Sequence, residues 1–423
     1  MSDRYKVLPS DVDILRKLAH RFREACESDE NQEVRRLWYA HDLCRGERPL
    51  LLTELDGGLE LIIPDLQLQC QEPWARHQEF HFREKLAHVE IIGDDTPLEP
   101  YAPLSWAISK SNYGIDTHET MPDTDGTRGA LHIDAVITDL KSQFHLLRPR
   151  TFSVNREATL ELKAILETAY DGILPVRLSR NPWWTQGLTQ VAISLIGLEN
   201  LMLYMYDQPE ELHGLMAFLR DDAFRLLDWM EREGLLVLNN LDDYCGSGSR
   251  GYTRALPSSE YRAGQPVRTQ DLWALLESQE TVGVGPEMYA EFIFPYEDSL
   301  ARRFGRVYYG CCEPLHTRWD VVKKMANLKR VSISPWCDEK YMAQQLGGHY
   351  VYSRKPKPTL VSTEQFDEGL VRQDLRTTME ITREHGCSVE IIMKDVHTLS
   401  GHPDRLTRWV QIAREETAGV YGE

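Results

Sequence analysis

The chain has 423 residues, 42% of them hydrophobic, and a formal net charge of −18. That is enough apolar material to fill a sizeable core, and it excludes a disordered chain. The acidic balance also argues against a nucleic-acid partner, because phosphate binding draws on clustered Lys and Arg; the charge reads as a solubility feature.

The opening residues Met1 to Lys6 lead into a charged amphipathic segment without the apolar stretch of a secretory signal. No run approaches the ~20 apolar residues of a membrane span, so a cytoplasmic protein is expected by default. Eight cysteines (Cys26, Cys44, Cys70, Cys245, Cys311, Cys312, Cys337, Cys387) show no framework spacing, which in a reducing compartment predicts free thiols.

In chain order, Val12, Ile14, Leu15, Leu18, Ala19 and Phe22, then Val34, Leu37 and Trp38, predict one or two helices with Ser10 as N-cap, in a helical N-terminal extension over residues 1–48. Leu50 to Glu54 reads as a short buried strand ending in a carboxylate. Residues 59–90 read as mostly helical and charged. His77 and His81 stand four apart there, on one helix face, and could hold a metal. With no third ligand beside them they are read as solvated or hydrogen-bonded helix residues. Residues 91–139, rich in Asp, Thr, Gly and Pro, read as an irregular insertion. Its acidic run Asp116 to Gly126 lacks a calcium-loop register and is taken for a surface excursion or an oligomer contact.

After Glu157 the organisation becomes regular. A helix to Tyr170, a strand over 172–178 and the loop Ser179 to Gly187 come first; helical pattern follows through Leu198 and from Asp207 to about Glu233. Strands then follow at 235–240, Arg306 to Tyr309, Arg330 to Ser334, Tyr350 to Ser353 and Val389 to Met393. With Leu51 and a segment near Leu272 to Leu276 the strand count approaches eight. This rhythm predicts a single α/β domain, a (β/α)8 TIM barrel with a parallel sheet.

In such a barrel the polar residues ending the strands converge on one rim: Glu54, Asn181, Asp242, Asp243, Cys311, Cys312, Trp336, Lys355, Lys394, Asp395 and His397. Each alone is equally a cap or a turn residue. The densest chemistry lies in Val307 to His316, where two thiols, a carboxylate and an imidazole fall within six residues at a strand-to-helix junction. Gly310 lets the chain turn and Pro314 suits a first helical position. Cys311, Cys312, Glu313 and His316 suit zinc by donor type, although C-C-E-x-x-H is not a standard zinc spacing and vicinal cysteines also serve as small apolar core residues. Alternation along a strand predicts that only one cysteine faces the mouth. Lys394, Asp395 and His397 offer a cation, a base and a ligand after the last strand. Trp183, Trp184 and Trp336 could wall a pocket or fill the core, and Cys245 could line the pocket. Cys26, Cys44, Cys70 and Cys387 read as structural thiols.

From about Asn181 to Thr417 the chain resembles the uroporphyrinogen decarboxylase-like superfamily. The resemblance is carried by Gly197-Leu-Glu-Asn-Leu, Asp207-Gln-Pro-Glu-Glu-Leu, Gly285-Pro-Glu-Met-Tyr-Ala-Glu-Phe-Ile-Phe-Pro295, Val307-Tyr-Tyr-Gly-Cys-Cys, Ser332-Ile-Ser-Pro-Trp-Cys-Asp338 and Met393-Lys-Asp-Val-His397 before Pro403-Asp-Arg-Leu. The Arg-rich segment M-R-Q-A-G-R of the true decarboxylases is absent. Where the methyltransferase branch has His-x-Cys, this chain has Tyr309-Gly310-Cys311, and Asp395 to His397 replaces the branch's late cysteine.

The resemblance implies a TIM barrel and a methyltransferase moving a methyl group between a small molecule and a corrinoid or thiol. A metal such as zinc, held by Cys311 (aligned with the family cysteine) or Cys312 with Glu313 and His316 or His397, would act as Lewis acid. Glu313, Lys394, Asp395 and His397 are the expected catalytic residues; Asn181, Trp184, Asp243, Trp336 and Lys355 are expected to contact substrate. A corrinoid protein is the expected partner, and a homodimer is the default by symmetry statistics. The alternatives are a metal-independent decarboxylase or lyase, and a non-catalytic corrinoid- or ligand-binding barrel.

Overall fold

The computed structural model describes residues 4–117, 119–120 and 132–422. Apolar residues at helical spacing give α1 (Pro9–Glu27) one buried face, Leu15, Leu18, Ala19, Phe22 and Cys26. The helix starts on Pro9, whose locked φ suits a first turn, so Ser10 lies inside it and is not the cap. Ser28 breaks the run and opens α2 (Asp29–Asp42) by accepting from the Asn31 amide at 3.1 Å. α1 packs with α3 (Pro73–Ala87) in a satellite core that includes Phe22, Phe82, Leu166 and Tyr170.

Eight short strands position the site: β1 (Leu50–Thr53), β2 (Ala102–Leu104), β3 (Val176–Leu178), β4 (Trp273–Leu276), β5 (Arg306–Tyr309), β6 (Leu328–Ile333), β7 (Val351–Arg354) and β8 (Ser388–Met393). Six of them form one parallel sheet in the order β1-β8-β7-β6-β5-β4, and β2 pairs with β3, also in parallel, in a sheet of their own. The six strands are buried nearly throughout, which is why they read as continuous apolar runs such as Leu50-Leu-Leu and Ile391-Ile-Met. α4 (Glu368–Glu384) and α5 (Arg405–Tyr421) pack on the sheet through stripes including Leu375, Met379, Trp409 and Ala413.

Side chains finish both edges of this sheet. On β1, the Leu51 amide donates to Asp95 at 2.8 Å, the Asp95 amide to Leu51 at 2.7 Å and the Thr53 amide to Asp94 at 3.0 Å. Asp95 is fully buried and also takes Arg48 and Arg414. On β4, the Asn239 side chain makes both bonds to Trp273, donating to its carbonyl at 3.0 Å and accepting from its amide at 2.9 Å. Asn181 treats Val237 in the same way, at 3.0 and 3.1 Å.

These bonds correct two expectations. The run 235–240 is not a strand: the Asn181 side chain takes both backbone bonds of Val237 in place of a ladder, and the Asn239 side chain bonds Trp273. Residues 91–139 are not wholly irregular, since Asp94 and Asp95 seal β1 and β2 lies among them. The acidic run Asp116 to Gly126 lies largely outside the described residues. No helix among the described residues is long and apolar enough to cross a membrane.

Candidate active site

The parallel strands of the large sheet deliver their C-terminal residues to one side: Glu54 after β1, Cys311 and Cys312 after β5, Lys394 and Asp395 after β8. Gly310 turns the chain at φ +97°, and a Cβ there would lie 2.9 Å from Leu315 Cδ1 and 3.1 Å from Ser332 Cβ, so only glycine suits the position. Strand alternation ends at Tyr309. As a result both cysteines line one cavity of about 420 Å³, with Glu54, Asp56, Trp184, Tyr244, Gln279, Lys394 and Asp395. This corrects the expectation that one cysteine alone faces the mouth.

The two sulfurs lie 3.7 Å apart, Cys311 buried and Cys312 exposed. Lys394 Nζ and Ser247 Oγ each stand 3.7 Å from Cys311 Sγ. The two thiols share a hydrogen bond, and this bond, with burial, pushes Cys311 well above the ordinary thiol value. The same bond pulls Cys312 below it, so Cys312 is the more acidic thiol of the pair. Burial opposes the charge of Lys394, but Cys311, Glu54 and Asp395 outweigh it and hold the ammonium. Asp395, at φ +59°, sits 3.4 Å from that ammonium. The Glu54 carboxyl is pushed up by burial, in part against Lys394.

A second cavity of about 680 Å³ adjoins the first and shares Glu54, Asp56, Trp184 and Tyr244 with it. Trp184 Nε1 donates to Tyr244 Oη at 3.1 Å across this common wall. Asn181, Asp242, Asp243, Arg180, Arg250, Lys85 and His81 line the inner chamber, together with Trp183, Trp273 and Cys245. Tyr101 donates to Asp242 at 2.8 Å, and Arg177 pairs with Asp243 at 3.0 Å. Burial pushes the Asp243 carboxyl up to about 6; Arg177 opposes the rise and Asp242 adds to it.

Other expected residues lie elsewhere. Glu313 is fully buried and accepts from the Ser278 amide at 3.0 Å and the Cys311 amide at 2.8 Å, so its carboxylate anchors the thiol loop from behind. His316 Nδ1 accepts from the Asp338 amide at 3.2 Å. Cys311, Cys312, Glu313 and His316 therefore do not assemble into the expected zinc set. Among the described residues no three His, Cys, Asp or Glu side chains group as a metal ion requires. Lys355 is buried below the cavities, donating to Tyr308 Oη and, at 2.6 Å, to Ser353 Oγ; burial pulls it down to about 8. Trp336 lies on the surface with Lys357 over its ring, and His397 is exposed; neither lines a chamber.

The structure adds Glu54, Tyr244, Lys85 and His81 to the site. Glu54 was visible as a polar strand end. His81 and Lys85 share a face of α3 by their spacing, but nothing local marks what that face covers; His81 proves buried rather than solvated.

No family profile and no curated protein matches the sequence. Among solved structures the chain is similar to a methyltransferase from Methanosarcina mazei at 12% sequence identity and a TM-score of 0.48, over 90% of this chain and 97% of that one.

Proposed function

We propose that this protein is a methyltransferase of the uroporphyrinogen decarboxylase-like superfamily, on a (β/α)8 barrel whose ring is completed through Asp94, Asp95, Asn181 and Asn239. One observation carries the reading: two chambers meet at a shared wall, and the outer one holds a thiol pair beside a buried ammonium. Moving a group between two molecules requires both to be held together with water kept away, which adjoining chambers provide.

The step follows from this chain's own residues. The Cys312 thiolate takes the proton of an acceptor H–Y in the outer chamber. A lone pair of Y forms the bond to the methyl carbon of CH3–X in the inner chamber, and the C–X bond breaks with its electron pair on X. Glu54, whose carboxyl is pushed up by burial and which faces both chambers, donates its proton to X. The proton on Cys312 then returns to Glu54, and Lys394 steadies negative charge throughout. A thiol is the acceptor such a base suits. A corrinoid presented by a partner protein would as donor supply a methyl–cobalt bond, and the proton taken up by Cys312 would then go to solvent, with Glu54 donating none. No step runs through zinc, because the expected ligands do not converge.

The test is methyl transfer from methyl-corrinoid and methylated thiols, by wild type beside Cys312→Ser and Lys394→Met, with circular dichroism to confirm folding. Transfer reduced ~10²-fold or more in each variant, the scale of a lost general base, is the expected result. Wild type without transfer, or variants as active as wild type, would overturn the reading. A metal-independent decarboxylase remains the second reading, favoured by Lys85, Arg180 and Arg250 beside Asp243, whose carboxyl burial pushes up to about 6. Carbon dioxide release that survives Cys312→Ser would put it first.

A further inference from the structure

We infer that the inner chamber binds a small organic anion, a carboxylate- or phosphate-bearing molecule, through Lys85, Arg180 and Arg250 with His81 beside them. The four side chains come from separate parts of the fold. His81 and Lys85 lie one turn apart on α3, Arg180 follows β3 in a left-handed conformation at φ +63°, and Arg250 ends the short strand Ser249–Arg250. All four line the same cavity of about 680 Å³, a size that suits a small ligand.

None of these side chains forms an ion pair with a carboxylate among the described residues. Among the described residues Lys85 and Arg180 form no hydrogen bond or ion pair, and His81 Nδ1 and Arg250 Nε are buried without a partner. The guanidinium groups of Arg177, Arg330 and Arg354, by contrast, each have a carboxylate partner: Asp243, Asp42 and Glu339. A buried polar atom left without a partner is costly, and His81 Nδ1 and Arg250 Nε are two such atoms on the wall of one cavity, which the oxygens of an anionic ligand would satisfy.

The chamber's own acids form no ion pair with the group, although Glu54 lines the cavity and lies close enough to attract Arg250. Asp242 accepts from Tyr101 and Asp243 is paired with Arg177. Asp242 and Glu84 attract Lys85, but neither forms an ion pair with it, and burial together with Arg250 and Arg180 pulls the Lys85 ammonium below its ordinary value. A bound anion would reverse that pull. The chain's net charge of −18 gives anions no general attraction, so the binding is local, within about a Debye length of ~8 Å.

The inference deepens the methyl-transfer reading by naming the class of the inner reactant and rests on that reading for the anion's role; binding needs no turnover, so the two can fail separately. The experiment titrates the full chain with sodium malonate and with inorganic phosphate at constant ionic strength, with sodium chloride as reference. Binding is followed by calorimetry and by the fluorescence of Trp183, Trp184 and Trp273, which line the cavity. Wild type is compared with Lys85→Met and Arg180→Met. At least one anion is expected to bind, and each substitution to weaken it about tenfold or more, the scale of one charge-assisted hydrogen bond. Malonate alone points to carboxylates and phosphate alone to phosphate esters; both binding supports the shared chemistry. Arg180 lies on an exposed loop, so its variant keeps the test open should Lys85→Met not fold. Wild type that binds neither anion at about 50 mM, far weaker than a substrate site, overturns the inference. So do folded variants that bind as wild type does.

Discussion

Glu313 separates two accounts of the thiol loop: metal ligand by its neighbours in sequence, anchor by its contacts. Glu313→Gln keeps the shape and removes one acceptor. Both carboxylate oxygens accept from buried amides, Ser278 at 3.0 Å and Cys311 at 2.8 Å. The glutamine oxygen can serve one of them, while its NH2 faces the other. Orphaning a buried N–H costs ~1–3 kcal/mol, and exchanging a charged for a neutral acceptor at the remaining bond costs about 1 kcal/mol more. Part of this is offset, because the Glu313 charge disfavours ionisation of Glu277, Glu280 and Glu297 close by. The net expectation is a loss of about 2–3 kcal/mol, read as a lower urea midpoint at unchanged slope. The Cys311 amide loses its tether, so Cys311 should also react faster with a disulfide reagent. A loss under about 0.5 kcal/mol with unchanged thiol reactivity would refute the anchor, since surface changes of no structural consequence fall in that range. Loss of a bound metal at undiminished stability would restore the ligand role.

Three further outcomes are expected. Cys311→Ala removes the hydrogen-bond partner that lowers Cys312, so the pH midpoint of iodoacetamide alkylation at Cys312 should rise towards the ordinary thiol value of ~8.5; an unmoved profile would show that the bond does not matter. Burial raises the Glu297 carboxyl well above its usual range while Tyr309 donates to it at 3.1 Å. The unfolded carboxyl ionises near ~4.3, so the stability tied to the folded proton is present below that pH and is lost as pH rises through the higher folded value. Glu297→Gln should therefore show a flatter decline in melting temperature towards alkaline pH, and parallel curves would contradict this. Arg330 is fully buried and donates to Ser249 at 2.7 Å, Tyr252 O at 3.1 Å and Asp42 at 3.2 Å. Arg330→Met leaves Asp42 without its counter-charge and should cost ~3–5 kcal/mol in denaturant unfolding; a loss below about 1 kcal/mol would mean the network is solvated.

Strands buried on both faces were legible because they carry uninterrupted apolar residues, as β1 and β8 do. The same pattern misled at 235–240, where Leu235-Leu-Val-Leu is as apolar as a strand but Val237 bonds through its backbone to the Asn181 side chain. β2 gave no signal, being three residues long with Pro103 at its centre. Within the site, Cys311, Cys312, Lys394 and Asp395 were legible as reactive types at strand ends, and the structure brings them together. Glu313 and His316 were read with them because they are near in sequence. Beyond the Gly310 turn, however, nearness along the chain no longer means a shared direction.

The sequence by itself determined the α/β character, the six buried parallel strands and the thiols at the end of β5, because each depends on patterns a few residues long: a helical stripe, an apolar run, a glycine turn. Only the tertiary structure decided that Glu54 faces both thiols and tryptophans, and that Lys85 on α3 lines one cavity with Arg180 and Arg250. Local propensity acts over a turn or a strand, whereas these groups are far apart in the chain and are brought together by the burial of the core around them.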